Sequence, residues 1–550
     1  MHVVNVGFSV LCSKQLVKQI WSFSTRRISS ATTEPVIIRI PRRIQDRINN
    51  VKQVKRKSLE KVPTVRAGRL LIKSKNPTFN QSVSYTLGKF EEPVLASKGW
   101  KNNKSFGDYF TINSTQNDPP FFSESKSESN EDGTGHRRTF ASLHLIADLV
   151  TTLQTHNITH PTTVQLQTIP RLLRGHNVLC AAETGSGKTL AYMLPIIHKL
   201  HMEMDPEHVL KSDQKTRAVV LVPSRELAEQ VTFVAKAMSQ PLGFRVKVIG
   251  GGRGVASIKA AFLQGQPDIL VATPGALLKA LWRRFVDLSE LHFMVVDEAD
   301  TMFDASFVGM LEKILTQTQI SANISETVGP IKKAQLVVVG ATFPGGLGEL
   351  LSKVTDLGTL VTVRSQNLHF LMPHVKQTFL KVRGSEKVLE LHQALKEAAR
   401  EHKGVLVFCN SAATVNWLGY TLEEMGLRHV RLQGEMPASM REGIFQSFQK
   451  GHVDVMICTD IASRGLDTQR VGLVVNYDFP ESYTDYIHRS GRVGRAGGSG
   501  GGHVISFVTH LWDVELVQSI ETAARRRACL PGMDKEIQIP ITKILAQDSK

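Results

Sequence analysis

HNVLCAAETGSGKTLAYMLP, His176 to Pro195, runs from a short apolar strand-like segment through a glycine-rich loop into an apolar helical pattern. Gly185 and Gly187 allow the backbone to turn its N–H groups inward, and the start of the following helix adds a positive dipole. This is a phosphate-binding loop in the strand–loop–helix setting such a loop requires, with Ala182 where the first glycine usually stands. Ala182, Glu183, Thr184, Gly185, Ser186, Gly187, Lys188 and Thr189 are the residues expected to cradle a nucleotide. Lys188 suits the β- and γ-phosphates, and the Thr189 hydroxyl suits Mg2+. A loop of this kind is carried by a parallel sheet, so it decides the fold class as α/β.

Downstream, FMVVDEAD (293–300) supplies the complement. A buried strand delivers Asp297 and Glu298 at its C-terminal end, where open α/β sheets take their ligands. Asp297 is expected to hold Mg2+ through water, and Glu298 to orient and deprotonate an attacking water. Further β-branched runs alternate with helical patterns on both sides: RAVVLVP, VKVIGG, DILVATP and QLVVVGAT. The texture restarts near Val375 with GVLVFCN, HVRLQG, VDVMICTD, GLVVNYD and GHVISFVT. The pattern therefore predicts two tandem units, each a parallel sheet flanked by helices, at 138–362 and 374–512.

Lysine and arginine number 67 against 50 acidic residues, a formal net charge of +17 that favours a polyanionic partner. The five cysteines are scattered without a CxxC pair, so neither a disulfide framework nor a zinc site is expected. No apolar run approaches the roughly 20 residues of a bilayer span, so stable membrane insertion is not expected. From Met1 to Thr33 there is no acidic side chain, while Lys14, Lys18, Arg26 and Arg27 are spread among Ser, Leu, Val, Ile and Trp21. That composition reads as a mitochondrial presequence over 1–31. A basic extension and polar linker is expected over 32–137, most basic from Arg39 to Arg69 and ending in SESKSESNEDGTG. The chain is expected to close in a basic tail, 513–550, whose Arg525 to Arg527 are candidates, with the extension, for contact with duplex RNA.

With these motifs in place the sequence resembles the DEAD-box RNA helicases. Phe140 and PTTVQ, Pro161 to Gln165, look like the family's adenine-reading motif; the resemblance implies that Gln165 bonds the base edge while Phe140 lies over it. PSREL (Pro223 to Leu227), Gly250 to Gly252 and TPG (Thr273 to Gly275) look like its RNA-facing motifs, which implies strand contacts at Arg225, Gly251 and Thr273. In the second unit TDIASRGLD (Thr459 to Asp467) and YIHRSGRVGR (Tyr486 to Arg495) are similar to the family's motifs V and VI. By resemblance, Thr459 and Arg464 hold RNA, Asp467 touches the ribose, and Arg492 and Arg495 reach the γ-phosphate across the cleft. The implied architecture is two RecA-like lobes, the implied cofactors ATP and Mg2+, and the implied partner RNA. VKQTFL, NWLGY and ARRRACLPG, with the presequence, are similar to mitochondrial members of the family. This narrows the implied partners to mitochondrial ribosomal RNA and large-subunit assembly particles in the matrix, at nucleoids or RNA granules, with an additional nuclear pool open.

Three positions depart from the family pattern: Gly340 in GAT, where Ser-Ala-Thr is usual, Ala276 after TPG, and Ala438 between Gly434 and Arg441. Each removes a polar group without touching the phosphate loop or the acidic pair. Hydrolysis with weak coupling to strand separation is the expectation. A translocating DNA helicase, or an RNA-binding scaffold insensitive to ATP, is the alternative left open by the sequence alone.

Overall fold

Short runs such as VLCA, AVVL, ILVA and FMVV are buried along their entire length, the signature of parallel strands covered on both faces. The computed structural model describes residues 69–88, 90–115, 139–203, 215–252, 254–304, 306–328, 332–343, 347–365, 368, 370–372, 374–436, 438–441, 443–460, 470–494 and 501–531. All belong to one unit that spans Val65–Lys550.

Counting strands along the chain, β4 (Val178–Ala181), β5 (Ala218–Leu221), β6 (Val246–Ile249), β7 (Ile269–Ala272), β8 (Phe293–Val296), β9 (Gln335–Gly340) and β10 (Val361–Arg364) make the first sheet. Its order is β10-β4-β9-β8-β5-β7-β6, and every pairing is parallel. Val178 and Cys180 of β4 enter one hydrophobic core while Leu179 and Ala181 enter another, so each face of the sheet has its own helical cover. The first lobe's sheet thus runs to Arg364, slightly beyond the expected limit of 362.

The second sheet holds β11 (Lys376–Lys381), β12 (Gly404–Phe408), β13 (Val430–Leu432), β14 (Val455–Cys458), β15 (Val471–Asn476) and β16 (His503–Val508). It also holds three strands from far upstream: β1 (Leu70–Ser74), β2 (Gln81–Ser82) and β3 (Tyr109–Ile112). The order is β13-β14-β12-β15-β16-β11-β3-β1-β2. The six strands of the lobe itself are parallel, and the upstream hairpin-like element adds antiparallel to β11, with Phe379 opposite Phe110.

This corrects two expectations. Residues 69–115 are not linker: they form an annex of the second lobe. Trp100, Phe110 and Ile112 share a core with Phe379, Tyr486, Val514 and Ile520, and the Phe110 and Phe379 rings stack at 4.8 Å. Nor does a tail begin at 513, because one helix runs Leu511–Arg526 against that annex. On it Glu521, fully buried, accepts hydrogen bonds from the Ala96 and Ser97 amides, the Ser97 hydroxyl and Arg525 Nε. Arg525 also donates to the carbonyl of Phe79. Arg526 donates to Glu91 and Arg527 to Val83, both at backbone carbonyls. The arginine run therefore fastens the annex, and buried Arg525 is not placed to grip RNA. Residues 1–68, 116–138 and 532–550 lie outside the described residues, and with them the presequence and most of the basic stretch.

Candidate active site

The phosphate loop leaves β4 at Ala181 and closes on the helix Lys188–Met202. Gly185 and Gly187 take φ of 78° and 85°, left-handed values at which a side chain would be strained. Ser186 Oγ donates to the Glu183 carbonyl at 2.7 Å, and Lys188 Nζ donates to the Ala182 carbonyl at 2.9 Å. The lysine thus lies buried along the inside of the loop.

Thr162 and Gln165 buttress the loop from outside. Thr162 caps the helix Thr163–Leu173, donating its hydroxyl to the Ser186 carbonyl at 2.8 Å. The Gln165 amide accepts from the Thr162 N–H at 2.9 Å and donates to the Gly187 carbonyl at 3.1 Å. A Cβ on Gly187 would stand 2.5 Å from Gln165 Nε2, so the two motifs are pressed together. Gln165, expected at the base edge, is here engaged with the loop, and Phe140 is packed into the first-lobe core.

At the end of β8, Asp297 is held on both oxygens. Its Oδ1 accepts the Glu298 N–H at 2.8 Å, and its Oδ2 accepts the Tyr192 hydroxyl at 2.9 Å. Burial, reinforced by the neighbouring Glu298 charge, pushes the Asp297 carboxyl up to about 6. Glu298 adopts φ 51°, uncommon for a residue with a side chain, and its Oε2 is buried with no hydrogen-bond partner among the described residues. Hard oxygen donors at Thr189 and Asp297, and an orphaned carboxylate oxygen beside them, fit Mg2+, a nucleotide phosphate and a water.

The second lobe closes directly over this wall. The helix Tyr483–Ser490 ends at Gly491, where an added Cβ would lie 1.7 Å from Thr184 Oγ1 in the phosphate loop. His488 Nε2 meets Asp300 Oδ2 across the cleft, and Glu298, Asp300 and His488 bring ligand atoms within 4.8 Å of one another. Arg492 is buried behind them with Nε donating to the His488 carbonyl at 3.0 Å. Arg441 pairs with Glu226 of the first lobe at 3.5 Å. Arg489 is held by Asp460 and Asn410, which ties the two second-lobe motifs together. Arg464, Asp467 and Arg495 lie outside the described residues.

The residues expected to meet an RNA strand lie on both lobes. Thr273 Oγ1 accepts the Gly251 N–H at 3.1 Å, joining two of the motifs. Arg225 packs so close to Gly250 that a Cβ there would meet its Cγ at 2.9 Å, and its Nε is paired with Glu229. Thr459 closes β14 beside Leu432, on the second lobe. Sequence reading passed over Tyr192, Asp300, His488 and the Thr184–Gly491 contact. All of these residues stand inside stretches that the sequence singles out; what it does not show is their pairing, because the partners lie far apart in the chain.

The profile described as "DEAD/DEAH box helicase" matches residues 162–350, and "Helicase conserved C-terminal domain" matches 359–497. "Probable ATP-dependent RNA helicase DDX28" of Mus musculus is 49% identical over 514 residues, 92% of this chain and 93% of the relative. Its Homo sapiens counterpart is 48% identical over 519 residues, covering 92% and 94%. Among solved structures, S. cerevisiae Dbp5 bound to RNA and ADP BeF3 superposes with a TM-score of 0.60 at 25% identity, covering 75% of this chain and 100% of that one. Two RecA-like lobes facing each other over a phosphate loop and a DEAD strand end, together with these matches, place the chain in the DEAD-box family of ATP-dependent RNA helicases.

Proposed function

We propose that this helicase hydrolyses ATP with Mg2+ in the mitochondrial matrix, where it clamps and locally remodels large-subunit ribosomal RNA during assembly of the mitochondrial ribosome. The observation that carries the chemistry is the buried Glu298 Oε2, without a hydrogen-bond partner among the described residues, beside a braced Asp297 and opposite a second lobe docked on the phosphate loop. In this reading Lys188 and the loop amides bind the phosphates, while Thr189 and Asp297 hold the cation. When bound there, Mg2+ would offset the negative charge of the phosphates. Glu298 takes the proton from the attacking water. Arg492 and Arg495 meet the γ-phosphate, a kind of contact typically worth about 10³ to 10⁵ in rate. Gln165 leaves Gly187 for the base, Phe140 backs it, and Asp467 takes the ribose.

RNA would lie along Arg225, Gly251, Thr273, Thr459 and Arg464, contacts to phosphate and sugar that position a strand without reading its sequence. Closure on a bent strand excludes A-form duplex, so base pairs are lost locally and RNA is released when the lobes part. The organelle rests on the acid-free, basic stretch from Met1 to Thr33. RNA crosslinked to the tagged Glu298→Gln protein, which is expected to stay closed on ATP and RNA, is to be sequenced from isolated mitochondria. Enrichment of large-subunit ribosomal RNA is the expected result. Exclusion of the protein from mitochondria would overturn the location, and absence of ATP-dependent crosslinks would overturn the clamp.

A further inference from the structure

Tyr192 stands one turn after Thr189 on the helix Lys188–Met202, so the two side chains share a face. It is fully buried. The single phenolic proton goes to Asp297 Oδ2 at 2.9 Å.

We infer that Tyr192 is a positioning residue of the cation site, acting through the hydrogen bond that it donates to Asp297. That bond fixes the second oxygen of Asp297, whose first is already held by the Glu298 N–H. Groups behind metal ligands typically change metal affinity by about 10- to 100-fold when removed. A purely structural tyrosine would need only an acceptor for its hydroxyl. What separates the two roles is the response to the metal.

This inference rests on the Mg2+–ATP reading above, and the test keeps the two apart. Full-length protein and its Tyr192→Phe variant are titrated with a non-hydrolysable ATP analogue by calorimetry, over a series of Mg2+ concentrations and in EDTA. The variant is expected to need about 10-fold more Mg2+ for half-saturation, with its EDTA affinity for the analogue unchanged. An unchanged Mg2+ midpoint would overturn the role of Tyr192 while leaving the cation site standing. Binding by the parent that ignores Mg2+ would overturn the cation site and this inference together.

Discussion

Gly491 and Gly340 show how much depends on the absence of a side chain. Gly491 has ordinary backbone angles, so its glycine is not demanded by conformation. It is demanded by Thr184, whose Oγ1 and Cβ would lie 1.7 and 2.9 Å from an added Cβ. Gly491→Ala is therefore expected to leave nucleotide binding to the first lobe intact while holding the lobes apart. Because a displacement of about 1 Å can cost 10²-fold in rate, RNA-stimulated ATPase should fall by about that factor. Adding Thr184→Ala to the same chain should recover part of the loss, and a rate unmoved by Gly491→Ala would show that hydrolysis does not require this contact. Gly340 is a different case. A Cβ there would meet the Thr342 carbonyl at 2.9 Å and Ala299 Cβ at 3.2 Å, so the turn after β9 has closed down around the missing side chain. The serine usual in the family would not simply restore a lost hydroxyl. Gly340→Ser is expected to destabilise the first lobe by about 1–3 kcal/mol, read by denaturant unfolding, without raising unwinding per ATP.

Strands were readable where burial on both faces forces a continuous apolar run, as in β4, β5, β7, β8 and β9. They were not readable in the annex. LLIKS mixes buried and exposed positions, β2 is two residues long, and the partners that make YFTI a strand lie far away on β11. A segment whose pairing is supplied by residues so distant carries little local signal. The helix Leu511–Arg526 misled for the opposite reason. AARRRA has the charge of a solvated tail, and only the buried Glu521 shows why Arg525 lies inside. β16 offers a test of burial by pH. His503 bonds to Thr378 Oγ1 at 3.0 Å, and burial, aided by Lys376 and Lys403, pushes its imidazole down to about 4. The folded chain therefore binds this proton less readily than the unfolded chain. Its stability contribution is complete above about pH 6.5 and is lost as the pH falls from 6.5 toward 4. The whole drop is at most roughly 3 kcal/mol. His503→Gln should flatten that part of the stability profile measured by urea unfolding, and an unaltered slope would assign the drop elsewhere.

The chain visits the second lobe, then the first, then the second again. Residues 69–115 pair with β11, residues 139–365 build the other sheet and the phosphate loop, and the remainder returns. Motif order along the sequence made the two lobes legible, since the phosphate loop and the DEAD strand belong to one sheet and the arginine-rich motif to the other. It gave no hint that the upstream segment skips its sequence neighbour, because that choice is made by long-range packing. The lobes meet through Thr184 and Gly491, Asp300 and His488, and Glu226 and Arg441. None of these contacts involves the annex, whose described partners are β11, its core aromatics and the helix Leu511–Arg526. The annex should therefore be separable from the site chemically but not from the stability of the lobe. Produced without residues 1–125, the chain would expose Phe379, Val514 and Ile520 and leave Glu521 and Arg525 without their buried partners, and breaking such a buried network costs about 3–5 kcal/mol. Truncation is thus expected to yield a chain that aggregates. Co-expressed with residues 1–125 as a second polypeptide, residues 126–550 should instead copurify with it, regain RNA-stimulated ATPase, and bury Trp100, whose fluorescence reports the repair. A truncated chain that stays monomeric with full ATPase would mean the second lobe folds without the three added strands, and the annex would then be an ornament on a complete domain rather than part of it.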